Sequence, residues 1–200
     1  MKKEDLARQI AEDAYNVGFG AKRNFATYDI INLIPSFLTF ITLVVGIFAL
    51  HIEVLNTKII STFLILLSIV GIYASGFSED REKYNQVGKK STEMFGKLKN
   101  LYYEAQNDEA DCAKLNEERS KIMNEFYSMS ISRQALFSSL LAHYKFFWEW
   151  RKNIAWVDKE LNLSFFWDKL PISIYFFMVL LILLCLICYF WSGINAFFNL

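Results

Sequence analysis

The feature that most constrains this chain is a set of three long apolar runs, at residues 30–50, 59–77 and 171–200. Each of the first two holds about 20 residues without a charge, enough for a helix to cross the hydrocarbon core of a bilayer. In the third run, residues 172–191 suffice to span. Open strands would leave their backbone groups without partners in lipid, so the runs must be helices. We therefore predict an all-α fold: a polytopic helical membrane protein with three transmembrane helices and a cytoplasmic helical hairpin or coiled-coil region.

The first two runs are joined by a short polar tip at residues 51–58. A connection this short makes neighbouring helices antiparallel, so residues 30–77 are predicted to form a two-span transmembrane hairpin. The remaining segments follow from composition. They are an N-terminal amphipathic helix at 1–29, charged helices at 78–142, an aromatic and basic segment at 143–170, and the third span at 171–200.

Basic residues are distributed unevenly around the apolar runs. Five Lys and Arg residues precede the first run, one lies in the tip, and fifteen lie between Arg81 and Lys169. Because short loops rich in Lys and Arg stay in the cytoplasm, we expect the N-terminus and residues 78–170 to be cytoplasmic. The tip and the C-terminus are then outside. The net charge is zero, so no direct nucleic-acid binding is expected.

Outside the apolar runs, apolar residues recur at helical spacing. Residues 1–29 carry one such stripe, with Gly18 and Gly20 expected to weaken or kink its middle. Residues 78–142 carry two heptad-like seams separated by a polar turn at 106–111. The first seam is Tyr84, Val87, Ser91, Met94, Leu98, Leu101 and Ala105, and the second is Leu115, Ile122, Phe126, Met129, Leu136 and Leu140. Spacing alone leaves open whether these two helices pair with each other or with other subunits.

Residues 143–170 combine aromatic and basic side chains at high density. This mixture is typical of the headgroup region, where rings lie half in lipid and cations meet phosphates. We interpret the segment as interfacial. The candidate anchors are Trp148, Trp150, Arg151, Lys152, Trp156 and Trp167. The alternative interpretation is that these rings form an ordinary core that caps the helical bundle.

In each span of the hairpin, polar and small residues fall within one narrow arc of a 3.6-residue helix. The candidates are Asn32, Ser36, Thr39 and Gly46 on the first span, and Ser61, Ser68, Gly71 and Ser75 on the second. Such faces either let helices pack closely or, turned inward in an assembly, line a narrow and weakly polar pore. No charge lies within a span, which argues against a proton relay or an ion-coupled transporter.

Catalytic chemistry has little support in the sequence. His51 and His143 are the only histidines and are predicted on opposite sides of the membrane, so no shared metal site is expected. Cys185 and Cys188 have the spacing of a redox pair, but an apolar run disfavours the thiolate, and we interpret them as packing residues. Phosphate-loop and nucleophile-elbow motifs are absent from the sequence. We therefore expect a non-enzymatic protein with no cofactor and no metal.

The order of these segments resembles a known family. A mixed-charge helix ends in Ala21-Lys-Arg-Asn-Phe-Ala-Thr-Tyr28 and runs into the hairpin, after which the charged boundary at 78–83 begins a heptad-bearing helix. This layout, over residues 1–142, is similar to that of the SLATT family of bacterial two-span membrane effectors. The third span departs from the basic two-span pattern.

The resemblance implies an oligomeric pore-forming membrane effector of a bacterial anti-phage (abortive infection) system, which depolarises or permeabilises the inner membrane when triggered. It also implies a homo-oligomer in the lipid bilayer. A partner encoded nearby would be a nucleotide-signal synthase, a sensor or a reverse transcriptase. The residues alone leave a second class open: a non-enzymatic membrane anchor or scaffold that recruits a cytoplasmic partner.

Overall fold

The computed structural model describes residues 2–52, 57–172, 174–183 and 185, in two compact units, Met1–Asn162 and Leu163–Leu200. The first unit contains α1 (Lys3–Ala49), α2 (Lys58–Ser75), α3 (Arg81–Ala105), α4 (Cys112–Met129), α5 (Ser138–Tyr144), a π-helical turn (Lys145–Glu149) and α6 (Arg151–Leu161). No strand occurs within these described ranges. The all-α prediction is therefore confirmed.

The helix α1 is a single rod that joins the charged N-terminal segment to the first apolar run. Its 47 residues correspond to about 70 Å at 1.5 Å per residue. Gly18 and Gly20 do not break it, contrary to the expected weakening. Each lies under an aromatic ring: a Cβ at Gly18 would lie 2.9 Å from both Phe95 and Phe146, and one at Gly20 would lie 2.9 Å from Phe126. Close packing at these two positions offsets the low helix propensity of glycine.

The helices α1 and α2 form the predicted hairpin. By length and composition, both are able to cross a membrane. The third predicted span is only partly described: Ile174–Leu183 is a shorter apolar helix, and residues 173, 184 and 186–200 lie outside the described residues. The third span therefore stays a prediction.

The charged helices form one bundle in which α3 packs chiefly against α1. The two helices are antiparallel, because Lys3 Nζ lies 3.0 Å from Asp108 at one end, while Ile31 and Tyr84 share a buried cluster at the other. All seven residues of the first predicted seam are buried in α3. They face the fully buried stripe of α1, which comprises Leu6, Ile10, Ala14, Val17 and Ala21. The main partner of this seam is therefore α1, whereas the spacing had suggested only the second seam or another subunit as partners.

The second predicted seam is wrong beyond Met129, where α4 ends. Residues 130–137, here called the base loop, are not helical, and α5 begins at Ser138. Leu136 and Leu140 therefore do not continue the face of α4, and they are 61% and 39% exposed. The chain leaves the helix because its polar groups find partners on α1, α2 and α3, as described below.

Candidate functional site

The polar arcs of the two spans are mostly uncovered. Ser36, Thr39, Gly46, Ser61, Ser68 and Ser75 are exposed, whereas Asn32 and Gly71 are half-buried. Gly71 belongs to the contact between the spans, since a Cβ there would lie 3.3 Å from Leu38 Cδ1. The small residue at this position allows α1 to approach closely.

Helical geometry places both arcs on one side of the hairpin. The covered positions include Ile34, Leu38, Ile41 and Val45 on α1, where Asn32, Pro35, Thr42 and Val44 are half-buried as well, and Ile60, Leu64, Leu67, Gly71 and Ala74 on α2. The direction of each polar arc is given as a rotation about the axis of its own helix, starting from the covered face, at about 100° per residue. The rotation is roughly 130° on α1 and roughly 70° on α2, in the same sense when each helix is viewed from its N-terminus. Two antiparallel helices are related by a twofold axis perpendicular to the plane that contains them, so rotations in the same sense bring both arcs to the same side of that plane. This shared surface is called the polar face.

The hydroxyl groups of the polar face are hydrogen-bonded within their own helices. Thr39 Oγ1 donates to the Pro35 carbonyl at 2.9 Å, and Ser68 Oγ donates to the Leu64 carbonyl at 2.9 Å. Ser61 and Ser75 bond to their own helix in the same way. Each donor is satisfied, so one hairpin can expose these groups to lipid without an unpaired hydrogen. The oxygen lone pairs remain able to accept from water.

The base loop binds the start of the hairpin through side chains of α1. Thr27 Oγ1 donates to Gln134 Oε1 at 2.6 Å, and Gln134 Nε2 donates to Asn24 Oδ1 at 3.2 Å. Thr27 is fully buried, and Asn24 is nearly so. Buried polar groups require such partners, so this network fixes the loop against α1.

The same loop also contacts the other two helices. Tyr84 Oη of α3 donates to the Arg133 carbonyl at 2.6 Å, and the Leu136 amide donates to Tyr73 Oη of α2 at 3.1 Å. The Arg133 guanidinium lies 4.1 Å above the ring of Phe77. Burial raises the pKa of Tyr84 above its ordinary value, which already lies well above neutral pH, so the hydroxyl is protonated and donates. The base loop thus joins α1, α2 and α3 where the apolar hairpin meets the bundle.

The aromatic segment divides between core and surface. Trp156 is buried, with its ring centroid 4.6 Å from that of Tyr102 and 5.7 Å from that of Phe95. This corrects its assignment as an interfacial anchor, because its ring packs against α3. Phe146 and Phe147 are buried as well. For these residues, the alternative interpretation of an aromatic core is the better description.

The other candidate anchors lie nearer the surface. Trp150 is half-buried, and Lys22 Nζ lies 3.9 Å from the centre of its ring. Arg151, Lys152 and Trp148 are exposed. In the second unit, Trp167 is 88% exposed on a turn closed by Ser164, whose hydroxyl accepts from the Trp167 amide at 3.2 Å. Only the exposed aromatic and basic residues remain candidates for contact with lipid.

Charged groups within the bundle pair between helices. Arg119 Nη1 of α4 lies 2.9 Å from Asp13 Oδ2 of α1, and burial raises the pKa of Asp13 although Arg119 opposes the shift. Burial also lowers the pKa of Lys22, with a smaller effect from nearby Lys145. Such pairs are partly solvated and serve mainly to orient helices.

Among the described residues, no group of three or more His, Cys, Asp and Glu side chains could hold a metal ion. His143 packs against Phe19 with ring centroids 4.8 Å apart. Cys112 and Cys185 are free thiols, and Cys188 lies outside the described residues.

A family profile described as "SMODS and SLOG-associating 2TM effector domain 6" matches residues 1–178. The match covers the hairpin, the bundle and the aromatic segment. Comparisons with curated proteins and with solved structures give no match.

Proposed function

Because the chain belongs to the SLATT family, the SMODS and SLOG-associating 2TM effectors, we propose that it is a bacterial defence effector whose hairpins assemble into a pore. Membership confirms the resemblance drawn from the sequence. The two apolar helices agree with a membrane effector. The proposal adds the mechanism: several copies permeabilise the inner membrane when triggered, with the bundle in the cytoplasm and the hairpin tip outside.

The polar face of the hairpin carries this proposal. Its hydroxyl groups lie on one side of both spans, together with exposed Leu43, while Phe37 and Ile69 point elsewhere and are exposed. A ring of hairpins with polar faces inward would present hydroxyl oxygens to water and apolar side chains to lipid. The bonds of Thr39 and Ser68 to their own helices make the lipid-exposed resting state tolerable.

The continuity of α1 supplies a route from trigger to pore. The same helix contributes the buried stripe of the bundle and the first span. A rotation of α1 within the bundle would therefore also turn Ser36 and Thr39 in the membrane, through the helical turn that contains Pro35. We propose that the trigger acts on the bundle, through a partner encoded nearby, and that the protein performs no catalysis itself.

Dye release from liposomes tests the pore. Thr39→Leu and Ser68→Leu should each lower release, because leucine removes an oxygen from the pore wall without introducing a charge. The matched control is Thr62→Leu: Thr62 is also exposed and bonded to its own helix, but lies outside the polar arc. Equal release from all three variants would contradict the proposed lining.

A second experiment separates the pore from a scaffold. Replacing both spans with unrelated apolar helices of equal length should abolish toxicity in cells if the polar face lines a pore. A scaffold would keep its function after the same replacement. Correctly inserted protein that releases no dye under any activating condition would also refute the pore.

A further inference from the structure

The base loop ends in two large apolar side chains that the described residues of the first unit leave uncovered. Leu136 is 61% exposed and Phe137 is 76% exposed. Phe137 also has a φ of 65°, a left-handed conformation that is unfavourable for a residue with a side chain. The chain thus holds a phenyl ring outward in a strained backbone, although the fold gains little packing from it.

The loop sits where the spans end. The amide of Leu136 is bonded to Tyr73, which lies two residues before the last residue of α2, Ser75. The loop is also bonded to Thr27, three residues before the first apolar run. On α2, Ile69 and Ile72 are 56% and 72% exposed. Leu136 and Phe137 therefore lie beside the exposed surface of α2, at the level of its end.

The charge on the loop fits the same level. Arg133 lies in the loop with its guanidinium over Phe77 at 4.1 Å. A cation beside aromatic rings, just below the apolar part of a span, is the arrangement found where headgroup phosphates lie.

We propose that the base loop is embedded in the membrane, with Leu136 and Phe137 inserted at the boundary between headgroups and acyl chains. The lipid leaflet that surrounds α2 covers these side chains. Insertion gives the exposed Phe137 ring an apolar environment and so accounts for its strained, outward position. The inference requires that the hairpin crosses a membrane, but it does not depend on pore formation. It makes the loop a lipid-anchored joint between the bundle and both spans.

Site-specific fluorescence tests the insertion on the full-length chain. In a variant whose three cysteines are replaced by alanine, Phe137→Cys is labelled with an environment-sensitive nitrobenzoxadiazole dye. The labelled protein is reconstituted in vesicles of phosphatidylcholine and phosphatidylglycerol. The water-exposed control is Tyr127→Cys, since Tyr127 lies on α4 and is 63% exposed. The lipid control is Leu66→Cys in α2, 55% exposed.

The dye at position 137 should emit at shorter wavelength than at 127. Lipids with a nitroxide near the headgroup should quench it more strongly than lipids with a nitroxide near the end of the acyl chain. Water-like emission at 137, equal to that at 127, would overturn the proposal. A blue shift that nitroxide lipids do not quench, and that disappears on dilution with lipid, would assign the cover to a second copy and also overturn it. Leu136→Cys repeats the measurement without altering the strained residue, and thermal unfolding of each labelled variant verifies its fold.

Discussion

Replacing Gly18 with alanine tests the central packing claim, that α1 approaches its neighbours closely because this position lacks a side chain. A Cβ there would lie 2.9 Å from ring carbons of both Phe95 and Phe146. These rings are 3% and 0% exposed, and Phe146 is also held edge-on by Tyr15, at a centroid distance of 5.5 Å. Phe95 packs against Trp150 and Trp156, with ring centroids 4.6 and 5.7 Å apart, so a shift of either ring disturbs neighbouring rings.

The magnitude follows from two opposing effects. Glycine to alanine in a helix interior gains about 1 kcal/mol where nothing is contacted. Overpacking of a buried site costs about 1–3 kcal/mol. Gly18→Ala should therefore be neutral or destabilising, by up to about 2 kcal/mol. The matched control is Gly96→Ala on α3, where no atom lies within 4 Å of the new Cβ, and it should gain about 1 kcal/mol.

Thermal unfolding of the full-length protein in detergent, followed by near-ultraviolet circular dichroism, measures the difference. At about 2–4 °C per kcal/mol for a chain of this size, Gly18→Ala should melt about 2–12 °C below Gly96→Ala. Gly88→Ala should fall between them, because its 2.9 Å neighbour is the half-buried ring of Phe25. If Gly18→Ala raises the melting temperature as much as Gly96→Ala, the rings of Phe95 and Phe146 do not restrict a side chain at position 18.

Three further predictions concern polar groups of the bundle. Burial and the hydrogen bond to Glu160 raise the pKa of Tyr102 to about 12. The stabilisation from protonated Tyr102 is therefore present below pH ~10 and lost between pH ~10 and ~12. In Tyr102→Phe, the melting temperature should fall less steeply over this pH range. The hydroxyl of Ser91 is buried without a partner among the described residues. In a denaturant melt, Ser91→Ala should therefore leave the free energy of unfolding unchanged or raise it by up to about 1 kcal/mol. A decrease in the free energy of unfolding would show that the hydroxyl has a hydrogen-bond partner. Burial already raises the pKa of Asp13 despite Arg119, so Arg119→Ala should raise it further and destabilise the fold at pH 7. Because the protonated carboxyl needs no cation, the deficit in melting temperature should shrink as the pH falls through the raised pKa of Asp13 in the variant, which lies above the ordinary value of about 4. A deficit independent of pH would contradict this explanation.

The positions of the apolar stripes on α1 and α3 were predictable from the sequence, but the pairing of these two helices was not predicted. The stripe through Leu6 and Val17 and the seam through Tyr84 and Leu98 are both visible as spacing, and both are buried. For the seams of α3 and α4, spacing alone left open whether they pair with each other or with other subunits. The hairpin produces a third arrangement: it returns the chain to the side from which α1 entered, so α3 runs back along α1. The orientation of the chain, the third span and the role of the polar face stay predictions.

The limit of the α4 seam illustrates what periodicity leaves out. Met129, Leu136 and Leu140 follow heptad spacing, yet the helix ends at Met129. The cause lies on α1, where Asn24 and Thr27 place polar groups within a stripe that is otherwise apolar. Buried amides and hydroxyls need partners, and Gln134 supplies them from the non-helical base loop. Two polar residues on a buried stripe are thus the sequence signal for a non-helical element packed against it. That element places Leu136 beside the end of α2, which no pattern of apolar spacing would have indicated.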